Sequence, residues 1–358
     1  MAENIALVEL GDTHQECLYT QLVFLKEAGY KVTLVVSKKL FANIHYPPAW
    51  DYLYLHELQG SKSLWKLFQI SRYLKKNRVT KIVFNTAENA VVRNFLFMTY
   101  GVECYGILHD VSKLGSSGNQ KFISRRIKKY FILNDYLLNS IAEENRARVA
   151  SFYPVFFPDT PAVAVARKKP GEIRIIIPGQ LELKRRDYLG LIEAAEKARL
   201  KHIRFVLLGN GSKGDGKLIA DTIAAKKLGD RFMLFDGYLS EDEFHSYIRG
   251  ADLVMPLIHP GSKTGPRQQE DSSNYLTRNI SGAFNFAFGY KKPMLTHDAF
   301  SAFDDFQASS FFYNPSSLAA LLKKLDSSPA RIRKMTLRLK KYEKFSRKYQ
   351  YESYIGNL

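Results

Sequence analysis

The sequence predicts two α/β domains, each built on a parallel sheet, and three observations point there. Short β-branched or aromatic runs alternate with amphipathic stretches along most of the chain. The alternation stops once, in a proline-punctuated stretch at 154–171, and then restarts. A length of 358 residues suffices for two ordinary cores.

IALVE at 5–9 and VTLVV at 32–36 read as strands. Between them Leu18, Leu22 and Leu25 mark one helical face, which Ala28-Gly29 closes, giving a βαβ unit. KIVF (81–84), YGIL (105–108) and YFIL (130–133) continue the first domain, 1–153, as short apolar strands suited to a sheet covered on both faces. Pro154, Pro158, Pro161, Pro170 and the run Arg167-Lys168-Lys169 make 154–171 the linker.

The second domain, 172–328, repeats the pattern. IRIII (173–177), IRFVLL (203–208), RFMLF (231–235), DLVMPLI (252–258), PMLT (293–296) and SFFY (310–313) are its strands, with helices between most of them. The polar segment 259–279 reads as a long surface loop, a kind that is usually functional or disordered. After Ser328-Pro329, a cap and first helical position, Ile332, Met335, Leu339 and Tyr342 mark a long amphipathic helix over 329–358, expected to pack back on the first domain.

Charge narrows the partners. Lysine and arginine number 53 against 35 carboxylates, a net +18, so the partner is expected to be anionic: nucleic acid, a phosphorylated metabolite or a lipid surface. Cys17 and Cys104 are too few for a disulfide framework and fit a reducing compartment. The acidic first thirty residues do not suit a signal peptide, and no apolar run reaches the roughly 18 residues of a membrane span. A cytoplasmic protein is expected, with any membrane contact peripheral.

Four places carry candidate chemistry. In IPGQLELKRRDY (177–188) a strand ends at Pro178-Gly179, next to Gln180, and Lys184, Arg185 and Arg186 are expected to open the next helix. Cations are unfavourable at the positive end of a helix dipole, so an anion would compensate them; the alternative is a solvated basic turn. Gly209, Asn210 and Gly211 form a second strand-to-glycine turn, where backbone approaches a ligand or simply bends. Ser281, Gly282 and Ala283 open an apolar helix whose N–H groups would hold a phosphate, unless Ser281 is an ordinary cap. In the first domain Gly11 and His14 follow the first strand and His109-Asp110 ends YGIL, both at carboxyl ends of strands, where a functional and a structural role stay equally open. No histidines stand at metal-ligand spacing, and no Walker or dinucleotide fingerprint is present, so no metal and no cofactor are expected.

With IPGQLELKRRDY, FVLLGNG, RFMLFDGYLSEDEFHSYIRGADLVMPL and SGAFNFAFGYKKPML in this order, the chain resembles the retaining GT-B glycosyltransferases, family 4-like (glycosyl transferases group 1), over most of 171–300. The resemblance implies two Rossmann-like domains facing each other across a cleft, a UDP- or GDP-linked sugar held by the second domain and a saccharide or lipid-linked acceptor held largely by the first. It implies metal-independent hexosyl transfer in cell-surface polysaccharide or glycolipid synthesis, with the acceptor proton passing to the departing phosphate. Lys184 and Arg185 would stabilise that phosphate and His109 would orient hydroxyls.

Two departures stand out. Gln180 occupies the family's arginine position, and Arg278 and Phe286 stand where paired glutamates are usual. Glu270, beside Asp271, and Asn285 are the expected substitutes on the nucleotide. A nucleotide-sugar epimerase of the same fold is the alternative. A nucleic-acid binder ranks below both, because no helix-turn-helix, zinc-finger or RNP pattern is present. Two basic stretches, one with Lys62, Lys66, Arg72, Lys75, Lys76, Arg78 and Lys81 around Leu64, Trp65, Leu67 and Phe68, the other with Lys121, Arg125, Arg126, Lys128 and Lys129 beside Phe122 and Ile123, fit an anionic membrane surface or a solvated face.

Overall fold

A computed structural model describes residues 2–58, 64–159, 163, 165, 167–260 and 272–358. The chain divides into two compact units: Met1–Asp159 with Thr277–Ile280 and Ser346–Leu358, and Thr160–Leu276 with Ser281–Phe345.

The first unit holds a parallel sheet of seven strands among the described residues: β1 (Asn4–Val8), β2 (Lys31–Ser37), β3 (Tyr52–His56), β4 (Val79–Phe84), β5 (Glu103–Leu108), β6 (Ile127–Ile132) and β7 (Val149–Ser151). Their spatial order is β3-β2-β1-β4-β5-β6-β7. β1 is buried throughout, as a central strand with helices on both faces must be. β3 and β7 were not expected: β3 is only partly buried, and β7 is three residues long at the sheet edge, too short for a periodic signal.

The second unit's strands are β8 (Ile173–Pro178), β9 (Ile203–Asn210), β10 (Phe232–Phe235), β11 (Leu253–Val254), β12 (Met294–His297) and β13 (Ser310–Tyr313), all parallel in the order β10-β9-β8-β11-β12-β13. This is the doubly wound order, and the first unit repeats it with a seventh strand added. Strand order reverses between β1 and β4 in one sheet and between β8 and β11 in the other, which fixes where ligands sit in such sheets. The run DLVMPLI yields only two paired residues, because Pro256 has no N–H to donate and Leu257 takes φ 57.

Three expectations about organisation are corrected. The linker does not begin at 154: Phe156 exchanges hydrogen bonds with the Thr20 hydroxyl, and Val155 is buried, so 154–159 belongs to the first unit. The tail is not one helix. Pro329–Lys340 belongs to the second unit and ends before Phe345, which stacks on Phe288; Ser346 then caps a separate helix, Arg347–Ile355, in the first. That last helix buries Tyr354 among Phe131, Phe152 and Phe24, and its hydroxyl donates to Gln21 Oε1 at 3.0 Å. Finally, Lys184, Arg185 and Arg186 precede a helix rather than open it: Tyr188–Ala198 starts after Asp187, whose carboxylate accepts from Gly190 N at 2.9 Å. A carboxylate suits that position better than a cation.

Candidate functional site

In the first unit the switch point gathers polar groups. β1 runs into Glu9, fully buried, whose carboxylate accepts from Gly11 N (2.7 Å), Asn85 Nδ2 (2.8 Å) and Thr86 Oγ1 (2.6 Å). One carboxylate thereby ties the end of β1 to the end of β4. Burial pushes its pKa up, and these bonds hold it back. Asn85, wholly buried, also donates to His14 O and accepts from Gln21 Nε2. His14 consequently takes a left-handed turn, φ 64, and lays its ring on His109 with centroids 3.6 Å apart.

The partners fix the histidine chemistry. Asn85 O lies 2.8 Å from His109 Nε2, and a carbonyl only accepts, so Nε2 carries the proton and Nδ1 is an acceptor. Burial and then neighbouring His14 push the His109 pKa down to about 4, keeping the ring neutral. His14 moves the other way: burial is outweighed by Glu16, whose Oε1 sits 3.4 Å from Nδ1. Glu88 fixes the end of β5 by accepting from the N–H groups of His109 (2.7 Å) and Asp110 (3.0 Å), while Asp110 accepts from Ser112. The structure therefore brings together Gly11, His14, His109 and Asp110.

In the second unit the turns after β8 and β9 touch. A Cβ on Gly209 would stand 2.7 Å from Gly179 O and 2.8 Å from Leu181 Cγ, so only glycine permits this approach. Gly179 itself takes φ 107. A cavity of about 250 Å³ opens here, lined by Gln180, Glu182, Asn210, Lys213, Asp215 and Tyr238 among others. Gly211 N bonds Phe235 O, holding the floor. Of the three cations, Arg185 pairs with Glu182 at 2.5 Å, Lys184 is exposed, and Arg186 turns back to donate to Pro178 O at 2.6 Å.

The third turn begins the helix Gly282–Gly289. Ser281 is its cap, accepting from Ala283 N at 3.4 Å, and a Cβ on Gly282 would meet no atom within 4 Å. In a parallel sheet the helix after a strand starts at the strands' carboxyl edge, so this N-terminus opens on the same edge as Gly179 and Gly209. Asn285 is buried on this helix, and its Oδ1 has no hydrogen-bond partner. Phe286 packs against Phe244 and His245. Glu270 and Asp271 lie outside the described residues.

The sheets decide the fold class. Two doubly wound parallel units of this order, with 99% of the chain superposing on a glycosyltransferase from Rickettsia africae ESF-5 (97% of that chain, TM-score 0.68, 12% identity), leave one assignment. The fold is GT-B. Anabaena Alr3699/HepE in complex with UDP has the same fold at TM-score 0.68 and 11% identity, covering 99% of this chain and 98% of its own. So does a candidate UDP-N-acetylglucosamine 2-epimerase from Listeria monocytogenes, at TM-score 0.57 and 11% identity, covering 98% and 94%. No family model and no curated protein matches the sequence.

Within this GT-B fold, several residues at the switch points escaped sequence reading. Glu9 reads as the last residue of the strand IALVE, and Asn85, Thr86 and Glu88 carry no motif, their place just after KIVF being the available signal. His259, following β11, is buried with Nε2 2.9 Å from the Tyr313 hydroxyl and Nδ1 3.6 Å from Asp187. Burial and then His297 push its pKa down to about 3, so it is neutral. No cluster of metal-binding side chains occurs among the described residues.

Proposed function

We propose that the chain is a retaining glycosyltransferase that moves a hexosyl group from a UDP- or GDP-linked donor to a saccharide or lipid-linked acceptor in cell-surface polysaccharide or glycolipid synthesis. The observation that carries this reading is the open backbone at Gly282, where an added Cβ would meet no atom within 4 Å, at the sheet edge of a GT-B fold that also carries the close-packed turns at Gly179 and Gly209, a place suited to a diphosphate. The UDP bound to HepE supports the choice of ligand class.

The donor would occupy the second unit, its diphosphate on the N–H groups at Gly282 and Ala283 and near Lys184, its nucleoside beside Gln180, Asn210 and Tyr238. In the reaction the bond between the sugar's anomeric carbon and the leaving phosphate oxygen breaks, and a bond to the acceptor oxygen forms on the same face. The acceptor proton passes to the departing phosphate oxygen, whose growing charge those N–H groups and cations stabilise. No metal is required by this scheme. His109, neutral with Nδ1 as acceptor, would orient a hydroxyl rather than transfer a proton.

The test is a thermal-shift and calorimetric screen of UDP, GDP and their sugars. A ligand at a hundred times its Kd raises stability by about 2.7 kcal/mol. Asn285→Ala is expected to weaken the bound nucleotide by about 1–3 kcal/mol, the cost of one buried polar hydrogen bond. No shift with any nucleotide sugar would refute the reading. The Listeria neighbour favours one alternative, epimerisation, which would appear as a changed sugar when the protein is incubated with a UDP-sugar and no acceptor.

A further inference from the structure

Three neighbouring helices of the first unit, Leu64–Lys76, Asn89–Leu96 and Gly118–Arg126, contain eight lysines and arginines and no carboxylate. The residues of Leu64–Lys76 fall into two arcs. Leu67, Ile70, Ser71 and Leu74 are buried, and the rest of the helix faces outward. That outer arc is itself divided. Its first turns expose Leu64, Trp65 (66%) and Phe68, the last two stacked at 5.6 Å, and its last turns expose Arg72, Lys75 and Lys76.

The adjoining segment extends the apolar part. Ser71 donates to Met98 O at 2.7 Å, fixing 97–100 against this helix, and Phe97 (64%) and Tyr100 (83%) stand out from it. Phe97 stacks on Phe122, and Arg126 lies over the Tyr100 ring at 5.6 Å. Beside the cationic end, Tyr54, Gln69, Arg72, Tyr73 and Lys76 line a groove of about 520 Å³. Protruding aromatics next to cations of a single sign are complementary to a surface apolar beneath and anionic on top. A folded acidic protein would match the charge but gives no depth in which to bury Trp65, Phe97 and Tyr100 together.

We propose that this face docks on an anionic phospholipid bilayer, with Trp65, Phe68, Phe97 and Tyr100 entering the headgroup–acyl boundary and the Arg72–Lys76 groove receiving a lipid phosphate. The proposal does not depend on the transfer reaction, and its test reads no activity. Full-length protein is floated with phosphatidylcholine vesicles, with and without phosphatidylglycerol, in low and high salt. A Trp50→Phe variant leaves Trp65 as the single tryptophan reporter.

Binding is expected on the anionic vesicles alone, weakening as salt rises, with a blue shift of Trp65 emission. Arg72→Gln with Lys76→Gln is expected to weaken partitioning roughly 30-fold, at about 1 kcal/mol per cation. Trp65→Ser with Phe68→Ser is expected to abolish flotation with the anionic vesicles. Lys217→Gln with Lys323→Gln, exposed lysines of the second unit, removes the same charge and is expected to leave binding intact. All four positions changed for loss of binding are exposed, so the fold is retained and circular dichroism verifies it. Equal binding to neutral vesicles, no binding to either, an unshifted Trp65, or an equal loss in the Lys217/Lys323 pair would each overturn the proposal.

Discussion

Gly282→Ala separates a ligand's requirement from the fold's. The added methyl meets nothing within 4 Å and the residue has no left-handed φ, so the steric cost to the protein is nil. Alanine is the better helix former by up to about 1 kcal/mol, which would leave Tm unchanged or raise it by roughly 2–4 °C. If a diphosphate sits against this backbone, the same methyl displaces an oxygen that must come within about 2.7–3.2 Å of an N–H. Losing one charged hydrogen bond costs about 1.5–3 kcal/mol, or roughly 10- to 150-fold in Kd. Calorimetry with UDP and a melting curve measure the two effects on one sample. Gly209→Ala is the opposite control, because its methyl would collide with Gly179 O and Leu181 and lower stability by about 1–3 kcal/mol before any ligand is added. Unchanged UDP affinity in a well-folded Gly282→Ala would sink the phosphate seat.

Lys184→Ala is expected to lower turnover while leaving the melting curve unchanged, since the side chain is exposed. Arg185→Ala should also lower turnover, with a small loss of stability because Glu182 loses its partner; normal activity of the double variant rules both out of the reaction. His109→Ala should keep UDP affinity and slow transfer, read by comparing calorimetry with product formation. The folded pKa of His109, depressed to about 4 from 6.5, means its stabilisation is present above about pH 6.5 and is lost as pH falls toward 4. Denaturant melts of His109→Ala across that window should therefore show a shallower acid decline than the parent. Tyr354→Ala is expected to cost about 3–5 kcal/mol by denaturant unfolding, as a wholly buried aromatic that also bonds Gln21.

Sheet interiors were legible in sequence because buried parallel strands are short apolar runs: β1, β2, β8 and β9 lie within a residue or two of the runs that announce them. What depended on distant partners was not. Arg347–Ile355 looked continuous with the helix before it, since its burying partners, Phe24, Phe131 and Phe152, are far away in sequence. The glycine turns and His109 could be named from their places at strand ends. Glu9 could not, because a carboxylate that bridges two strand ends looks locally like a polar residue closing one. Asp187 shows the same limit: the run Lys184-Arg185-Arg186 carries the stronger local pattern, yet the acid that follows it caps the helix.

The last helix has a consequence for synthesis. A ribosome releases Arg347–Ile355 only after the whole of Ser281–Phe345, so the second unit's sequence is complete while the first unit still lacks Tyr354 and its partner contacts. Until that helix emerges, Phe24, Phe131 and Phe152 have no lid, and a nascent chain would expose them to chaperones for most of translation. A chain cut before Arg347 would thus keep all of the second unit and leave Phe24, Phe131 and Phe152 of the first without Tyr354 over them.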